Sequence, residues 1–392
     1  MKTLKRTWAD ISLDNLEYNY RSIRAHLPQG TKFLGVMKAD AYGHGAVPVS
    51  RALADLGAEY LAVSNLEEAV QIRRGEVRLP ILILGYTPAE YAANMIFLDI
   101  TQEVHSLEYA RELNEALAGT NYILNVHLKL DTGMTRIGFF AYDNERTLDE
   151  LRQVAQLPHL HIEGVFMHFC VADSRAEADV SFTKLQYKRF MDMLSAMAGV
   201  GIRPEIRHCC NSGATILYPE FALDMVRPGI ITYGNAPSDE LEGALSLRPM
   251  MSLHSMIAQV RTVPAGTDIS YGRLYRTKEE TRVAVLPIGH ADGLSRLLTG
   301  KASFYLQGHQ VPVIGRICMD MCMIDVSGVP EAKPGDVVTI FGYDDDGTLL
   351  PCERLARAQG TINYELLCQI SKRIPRICHR GAETSQILQY IV

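Results

Sequence analysis

Position 38 is a lysine in the stretch GVMKADAYGHG, where an apolar run stops and a glycine-punctuated turn begins, with Tyr42 and His44 close behind. A lysine held partly out of water at the mouth of a barrel strand can act as an amine nucleophile, although a lysine also ends many buried strands simply to reach solvent. Further side chains able to bind or move protons follow later apolar runs: Arg136 in KLDTGMTRIG, His168 in VFMHF, Asn211 and Ser212 in NSGA, and Arg227 with Gly229 in MVRPGIITYG. Each alone has a plain structural role. Arg136 could meet solvent, His168 could be a satisfied core imidazole, and Asn211 could cap the helix that opens with SGATIL. Together they suggest more: glycine and a hydroxyl at two neighbouring strand ends would gather backbone amides and Ser212 round a phosphate. A phosphate site facing a lysine suggests a phosphorylated aldehyde held as a Schiff base, and pyridoxal phosphate fits that description.

The elements that must position these residues are legible as eight short apolar runs: FLGVM from 33, EYLAVS from 59, PILILGY from 80, FLDI from 97, ILNVHLKL from 123, HIEGVFM from 161, PEIRHCC from 204 and LDMVRPGII from 223. Amphipathic stretches lie between them, among them AVPVSRALADLG, NLEEAVQIRRGE, SLEYARELNEALAG, TLDELRQVAQL and FTKLQYKRFMDMLSAM. Continuous apolar strands alternating with helices argue for a parallel sheet covered on both faces. Eight units in this length predict a closed (β/α)8 barrel, with a doubly wound open sheet as the alternative. After residue 245 the texture changes to short strands and turns, in SLHSMIAQVRTVPAG, RVAVLPIG, SFYLQGHQVPVIG, MCMIDVSG and GDVVTIFG, followed by helical CERLARAQ and NYELLCQISKRI. The expected division is therefore a barrel domain over 1–240 and a mainly β domain over 241–392, joined near APSDELEGALSL.

Composition narrows the function. With 39 Lys and Arg against 45 Asp and Glu, the net charge is −6 and no run of either sign is long, which disfavours nucleic acid as a partner. The amino-terminal MKTLKRTWADISLDNLEYNY lacks the apolar stretch of a signal peptide, and no 18-residue apolar run follows. A cytoplasmic protein without a membrane partner is the expectation. Eight cysteines without C-x-x-C spacing read as buried thiols rather than bridges or zinc ligands, so no metal is expected, and adjacent Cys209 and Cys210 should point to opposite sides if that stretch is extended.

Seven motifs occur in one order along nearly the whole chain: VMKADAYGHG, KLDTGMTRIG, NSGA, VRPGIITYG, ISYG, GRICMD and TINYEL. In these the chain resembles the bacterial alanine racemases, barrel-type pyridoxal phosphate enzymes. The resemblance implies a (β/α)8 barrel followed by a β domain, a head-to-tail homodimer with active sites completed across the interface, and interconversion of L- and D-alanine that supplies D-alanine for the peptidoglycan of the cell wall. It implies that Lys38 binds the cofactor covalently and serves as one base, with Tyr271 of ISYG as the opposing base reaching the partner's barrel. Arg227 would face the pyridine nitrogen and, keeping its proton, leave that nitrogen unprotonated; His208 would orient Arg227. Tyr42, Ser212, Gly229, Ile230 and Tyr364 match the phosphate shell, with Asn211 also at the cofactor. Arg136 and the Met319 backbone match the groups that hold cofactor phenolate and substrate carboxylate, with Asp320 shaping the same wall and His168 near the hydroxyl-bearing side of the ring. Lys129 matches a lysine often carbamylated in the family, against the alternative of a strand lysine pairing with Asp131 or solvent. His290 in IGHADG departs from the family's common tyrosine at the entrance, and Arg296, Arg316 and Asp173 match outer-entrance positions. The rival activities are a racemase preferring serine, disfavoured by the intact Tyr364 and the lack of a membrane segment, an amino-acid decarboxylase, and a non-catalytic cofactor carrier, disfavoured by the second domain.

Overall fold

The computed structural model describes residues 6–142 and 144–391 and divides into two compact units. One comprises Leu16–Ala41 and Ala46–Arg248; the other combines the segment ending at Asn15, Tyr42–Gly45 and Pro249–Val392. The second unit thus includes amino-terminal residues that a boundary at 240 assigns to the barrel.

The first unit is built on eight parallel strands, Lys32–Val36, Tyr60–Val63, Ile81–Ile83, Ile100–Val104, Leu124–Asp131, Leu160–Phe166, Ile206–His208 and Met225–Val226. Pairing runs in sequence order, and the last strand returns to the first with Met225 opposite Lys32. Between the seventh and eighth strands the barrel is closed by loop hydrogen bonds, Asp224 N–H to Arg207 O at 3.1 Å and Arg227 N–H to Cys210 O at 2.9 Å. Helices follow the amphipathic stretches, including Ala46–Leu56, Leu66–Arg74, Leu107–Ala116 and Glu177–Gly199. Asn65 and Ser106 cap two of them by accepting the backbone N–H three residues on.

The fourth strand lies beyond its expected place. FLDI is split: Phe97 ends the helix Ala92–Phe97, Asp99 is left-handed at φ 52°, and the strand is Ile100–Val104. Its buried Gln102 and Glu103 interrupt the apolar signal a buried strand normally gives. The cysteine reading also needs correction: Cys170 and Cys368 are exposed and Cys318 half-buried, while the other five are buried. Cys209 and Cys210 both direct sulfur to the Tyr218–Phe221 turn, the pair lying just past the strand that stops at His208.

In the second unit a single sheet runs from Gln259–Val263 to Glu383–Leu388, antiparallel except at one pairing. That exception is Thr7–Ser12, which lies antiparallel to Met251–Met256 and parallel to Arg376–Arg380. Its partners are far away in sequence, so no hairpin signal announces it. A separate two-stranded ribbon, Asp268–Ile269 with Tyr275–Arg276, carries the loop containing Tyr271.

Candidate active site

The first strand of the barrel unit ends at Val36, and Tyr233 Oη supports that end by donating to Val36 O at 2.6 Å. The chain then enters a left-handed turn: Ala39, Asp40, Ala41 and Tyr42 all have φ between 51° and 54°. Each left-handed residue with a Cβ costs about 1–2 kcal/mol, less for Asp, so the turn persists only where its surroundings hold it. Three hydrogen bonds do so: Ala41 N–H to Met37 O at 2.8 Å, Ala39 N–H to Glu68 Oε1 at 2.7 Å, and Ala46 N–H to Asp40 Oδ1 at 2.8 Å. Glu68 Oε2 also accepts from Ser64 N–H at 2.8 Å, tying the ends of the first two strands together. Lys38 heads this turn and is exposed in the chain.

Around the carboxyl ends of the strands the barrel gathers positive charge. Lys38, Lys129, Arg136 and Arg227 all act on His168, whose pKa is held well below the usual imidazole value by burial and then by these four cations. Arg227, which is buried, donates to Met167 O at 2.7 Å and Cys209 O at 3.1 Å and lies 3.0 Å from His208 Nδ1 and 3.4 Å from His168 Nδ1. Burial, reinforced by Arg136, lowers its pKa to about 10, so it stays cationic near neutrality. Lys129 is buried, with Nζ 4.9 Å from the centre of the Phe166 ring. Its pKa falls to about 7 through burial and repulsion from Arg227 and Arg136, which outweigh Glu103 and Asp131. The alternative of a solvated lysine fails on that burial. Asp131 Oδ1 is occupied by Gly133 N–H and Thr135 N–H, each at 3.0 Å.

At the last two strands, Asn211 Oδ1 accepts from Ala214 N–H at 3.0 Å and its amide donates to Phe169 O at 3.1 Å, so it caps Ser212–Leu217 and bridges to the loop after the sixth strand. Ser212 Oγ accepts from Gly229 N–H at 2.8 Å, which brings the hydroxyl to the start of the turn Ile230–Tyr233. Asp173 sits in the same unit, half-buried, and its carboxyl pKa is raised by that burial.

The remaining predicted residues belong to the second unit. Tyr42 and Tyr364 face each other with ring centroids 5.9 Å apart, and Arg376 Nε donates to Gly43 O at 2.8 Å. Tyr271 is 69% exposed. Ser270, just before it, has φ 65° and ψ −175°, a region almost confined to glycine that costs about 1–3 kcal/mol, and its hydroxyl donates to Arg316 O at 2.7 Å. Met319 is exposed while its carbonyl accepts from Ala291 N–H at 3.0 Å; Asp320 pairs with Arg373 at 2.8 Å. His290 and Arg296 lie in short turns, His290–Asp292 and Arg296–Leu298, with His290 exposed.

Sequence reasoning missed two groups behind Arg227, the buried His127 and the part-buried Glu163. His127 Nδ1 lies 2.9 Å from His208 Nε2, and His127 Nε2 lies 3.1 Å from Glu163 Oε2. The alternation of His127 with Lys129 in ILNVHLKL, which places both on one face, is the signal that points to the first of them.

Eight parallel strands, basic groups at their carboxyl ends and an appended β unit define a two-unit barrel protein of the kind whose active site lies at those strand ends. Comparison with known proteins is more specific. The family model for the alanine racemase N-terminal domain matches residues 11–237 and that for the C-terminal domain matches residues 250–378. An alanine racemase of Desulfovibrio desulfuricans is 46% identical over 370 residues, covering 94% of this chain and 97% of its own. Among solved structures, an alanine racemase of Clostridium difficile 630 matches with a TM-score of 0.92 and 38% identity over 100% of both chains. One from Bacillus anthracis with bound L-Ala-P matches with a TM-score of 0.93 and 34% identity, covering 100% of this chain and 99% of its own. The chain belongs to the alanine racemase family, whose members depend on pyridoxal phosphate.

Proposed function

We propose that this chain interconverts L- and D-alanine in the cytoplasm, with pyridoxal phosphate bound in the barrel and two bases on opposite faces of the substrate. The observation that carries the reading, beside family membership, is the convergence of Lys38, Lys129, Arg136 and Arg227 on a neutral His168. Two of these cations, Lys129 and Arg227, are buried, and buried positive charge of this kind calls for an anionic occupant. The donor set suits this cofactor: a serine hydroxyl and a turn amino terminus for phosphate, arginine for phenolate, and a lysine amine for the aldehyde.

The cofactor, when bound, supplies an electron sink that acidifies the Cα–H bond of the amino acid. Lys38 Nζ takes or returns a proton on one face. Tyr271 of the partner subunit does the same on the other, so removal on one side and return on the other inverts the centre. The exposure of Tyr271, and of Leu274, Met319 and Met321, supports a homodimer in which these side chains are covered. Arg227 holds its proton and so leaves the pyridine nitrogen without one. Ser212 and Ile230 would bind phosphate, and Arg136 would bind carboxylate and phenolate. Lys129, neutral in part near pH 7, forms an N–C bond to carbon dioxide with release of a proton, turning a cation beside Arg136 and Arg227 into an anion.

The test is the cofactor-loaded enzyme incubated with L-alanine or L-serine, read by chiral chromatography and for released carbon dioxide. The reading requires D-alanine to accumulate faster than D-serine, without carbon dioxide. Preference for serine, or decarboxylation, overturns it.

A further inference from the structure

The hydrogen bonds behind Arg227 have a direction that donor chemistry alone fixes. A guanidinium only donates, so His208 Nδ1, 3.0 Å from Arg227 Nη1, must accept, and a neutral His208 carries its proton on Nε2. That Nε2–H points at His127 Nδ1, 2.9 Å away, which must then accept in turn. His127 is left with its proton on Nε2, 3.1 Å from Glu163 Oε2. A single assignment satisfies all three contacts. Both rings are held neutral: burial lowers each pKa, and Arg227 lowers them further, overcoming the pull of Glu163 on His127.

Glu163 closes the chain as an ionised acceptor. Tyr60 Oη donates to its Oε1 at 3.0 Å and Thr101 Oγ1 to its Oε2 at 3.2 Å. Burial raises the Glu163 pKa, but His127, Tyr60 and Thr101 together bring it below the usual carboxylate value. Tyr60 and Thr101 stand at the amino-terminal ends of their strands, whereas His208 ends its own, so the relay runs along the barrel interior from one rim toward the other. The backbone is shaped for it. The pairing of the fifth and sixth strands shifts register between Val126 and His127, and a Cβ on Gly164 would fall 2.5–2.6 Å from three atoms of the His127 ring.

We propose that Glu163 and His127 are positioning residues for Arg227: through His208 they fix the proton of each imidazole and hold the guanidinium, as a donor, against the cofactor's ring nitrogen. The last clause rests on the placement of Arg227 in the proposed function; the relay itself does not. Every hydrogen bond of the relay points from Arg227 toward Glu163, so the carboxylate polarises the chain in the sense that makes His208 Nδ1 a stronger acceptor and fixes the orientation of the guanidinium.

The experiment uses cofactor-loaded protein with 15N-labelled histidine, since ring tautomers are read directly from 15N–1H couplings. His127 and His208 are expected as neutral Nε2–H forms. An Nδ1–H or doubly protonated His208 in the unaltered protein overturns the relay without recourse to any variant. Glu163→Leu and Gly164→Ala, which remove the acceptor or displace the ring, are expected to give His208 a mixture of tautomers, to shift the absorption band of bound pyridoxal phosphate, and to lower kcat on the order of tenfold, a scale usual for partners one layer out from a catalytic group, with KM little changed. Glu163→Gln, whose carbonyl still accepts, should restore the Nε2–H tautomers. Variants with unchanged tautomers overturn the positioning role. Altered tautomers with an unmoved absorption band overturn the placement of Arg227 at the ring nitrogen and leave the relay standing.

Discussion

The first three strands of the barrel and the last five are built of different material. Lys32–Val36, Tyr60–Val63 and Ile81–Ile83 put Phe33, Leu34, Leu61, Val63, Ile81 and Ile83 out of contact with water. The other strands and the segment just past the eighth bury Glu103, His127, Lys129, His208 and Arg227. An aliphatic side chain stabilises the barrel by about 1.5–3 kcal/mol on full burial, whereas a buried polar group costs free energy unless its hydrogen bonds are made. Glu103 Oε2 has no hydrogen-bond partner among the described residues, and Lys129 is crowded by two arginines. The difference locates chemistry: the first three strands contribute apolar packing, whereas the other five add to theirs buried charged and polar groups whose desolvation a ligand can repay.

The contrast is broken most severely by removing the groups assigned to the bases. Lys38→Ala should abolish turnover, and Tyr271→Phe should lower racemisation by about 10²–10⁴-fold while the cofactor still binds, as followed by steady-state assay and absorbance. Near-normal turnover of Tyr271→Phe removes that residue from the mechanism.

In the apolar strands the loss should appear in stability. Leu61→Ala deletes a fully buried side chain and should cost about 2–5 kcal/mol in chemical denaturation, with the absorbance of the bound cofactor unaltered. A cost below 1 kcal/mol, about the least expected of any core truncation, contradicts the division of labour.

Lys129→Met should act in the opposite sense. The folded pKa of Lys129, about 7, lies below its ordinary 10.5, so between these values the unfolded chain binds the extra proton. Stability is then lowest below the folded value and rises with pH through this window, by about 1.4 kcal/mol per unit at most from this residue. In cofactor-free and bicarbonate-free buffer, the gain in stability from pH 7 to pH 9 should be about 2–3 kcal/mol smaller in Lys129→Met than in the parent. Equal slopes mean that Lys129 is not held as a strained cation. Smallest is Asn211→Ala, which removes the cap of Ser212–Leu217 and should cost about 1 kcal/mol in the same denaturation measurement.

The uneven material also explains what the sequence made legible. Apolar runs such as FLGVM and PILILGY announce their strands, and turn residues mark where Lys38, Ser212 and Gly229 fall. The fourth strand slipped because Gln102 and Glu103 break its apolar run, and Thr7–Ser12 went unseen because its neighbours are Met251–Met256 and Arg376–Arg380. His127 and Glu163 lie within ILNVHLKL and HIEGVFM, runs that read only as strands. Their meeting depends on a register shift and on the missing Cβ of Gly164, both tertiary facts that no local pattern carries.

The proposed function requires the cofactor to be attached at the amine of Lys38. Loading the protein with pyridoxal phosphate, reducing with borohydride and mapping peptides by mass spectrometry should place the modification on the peptide containing Lys38, with loss of the visible band. A modification on another lysine, or none in fully loaded protein, would contradict the account.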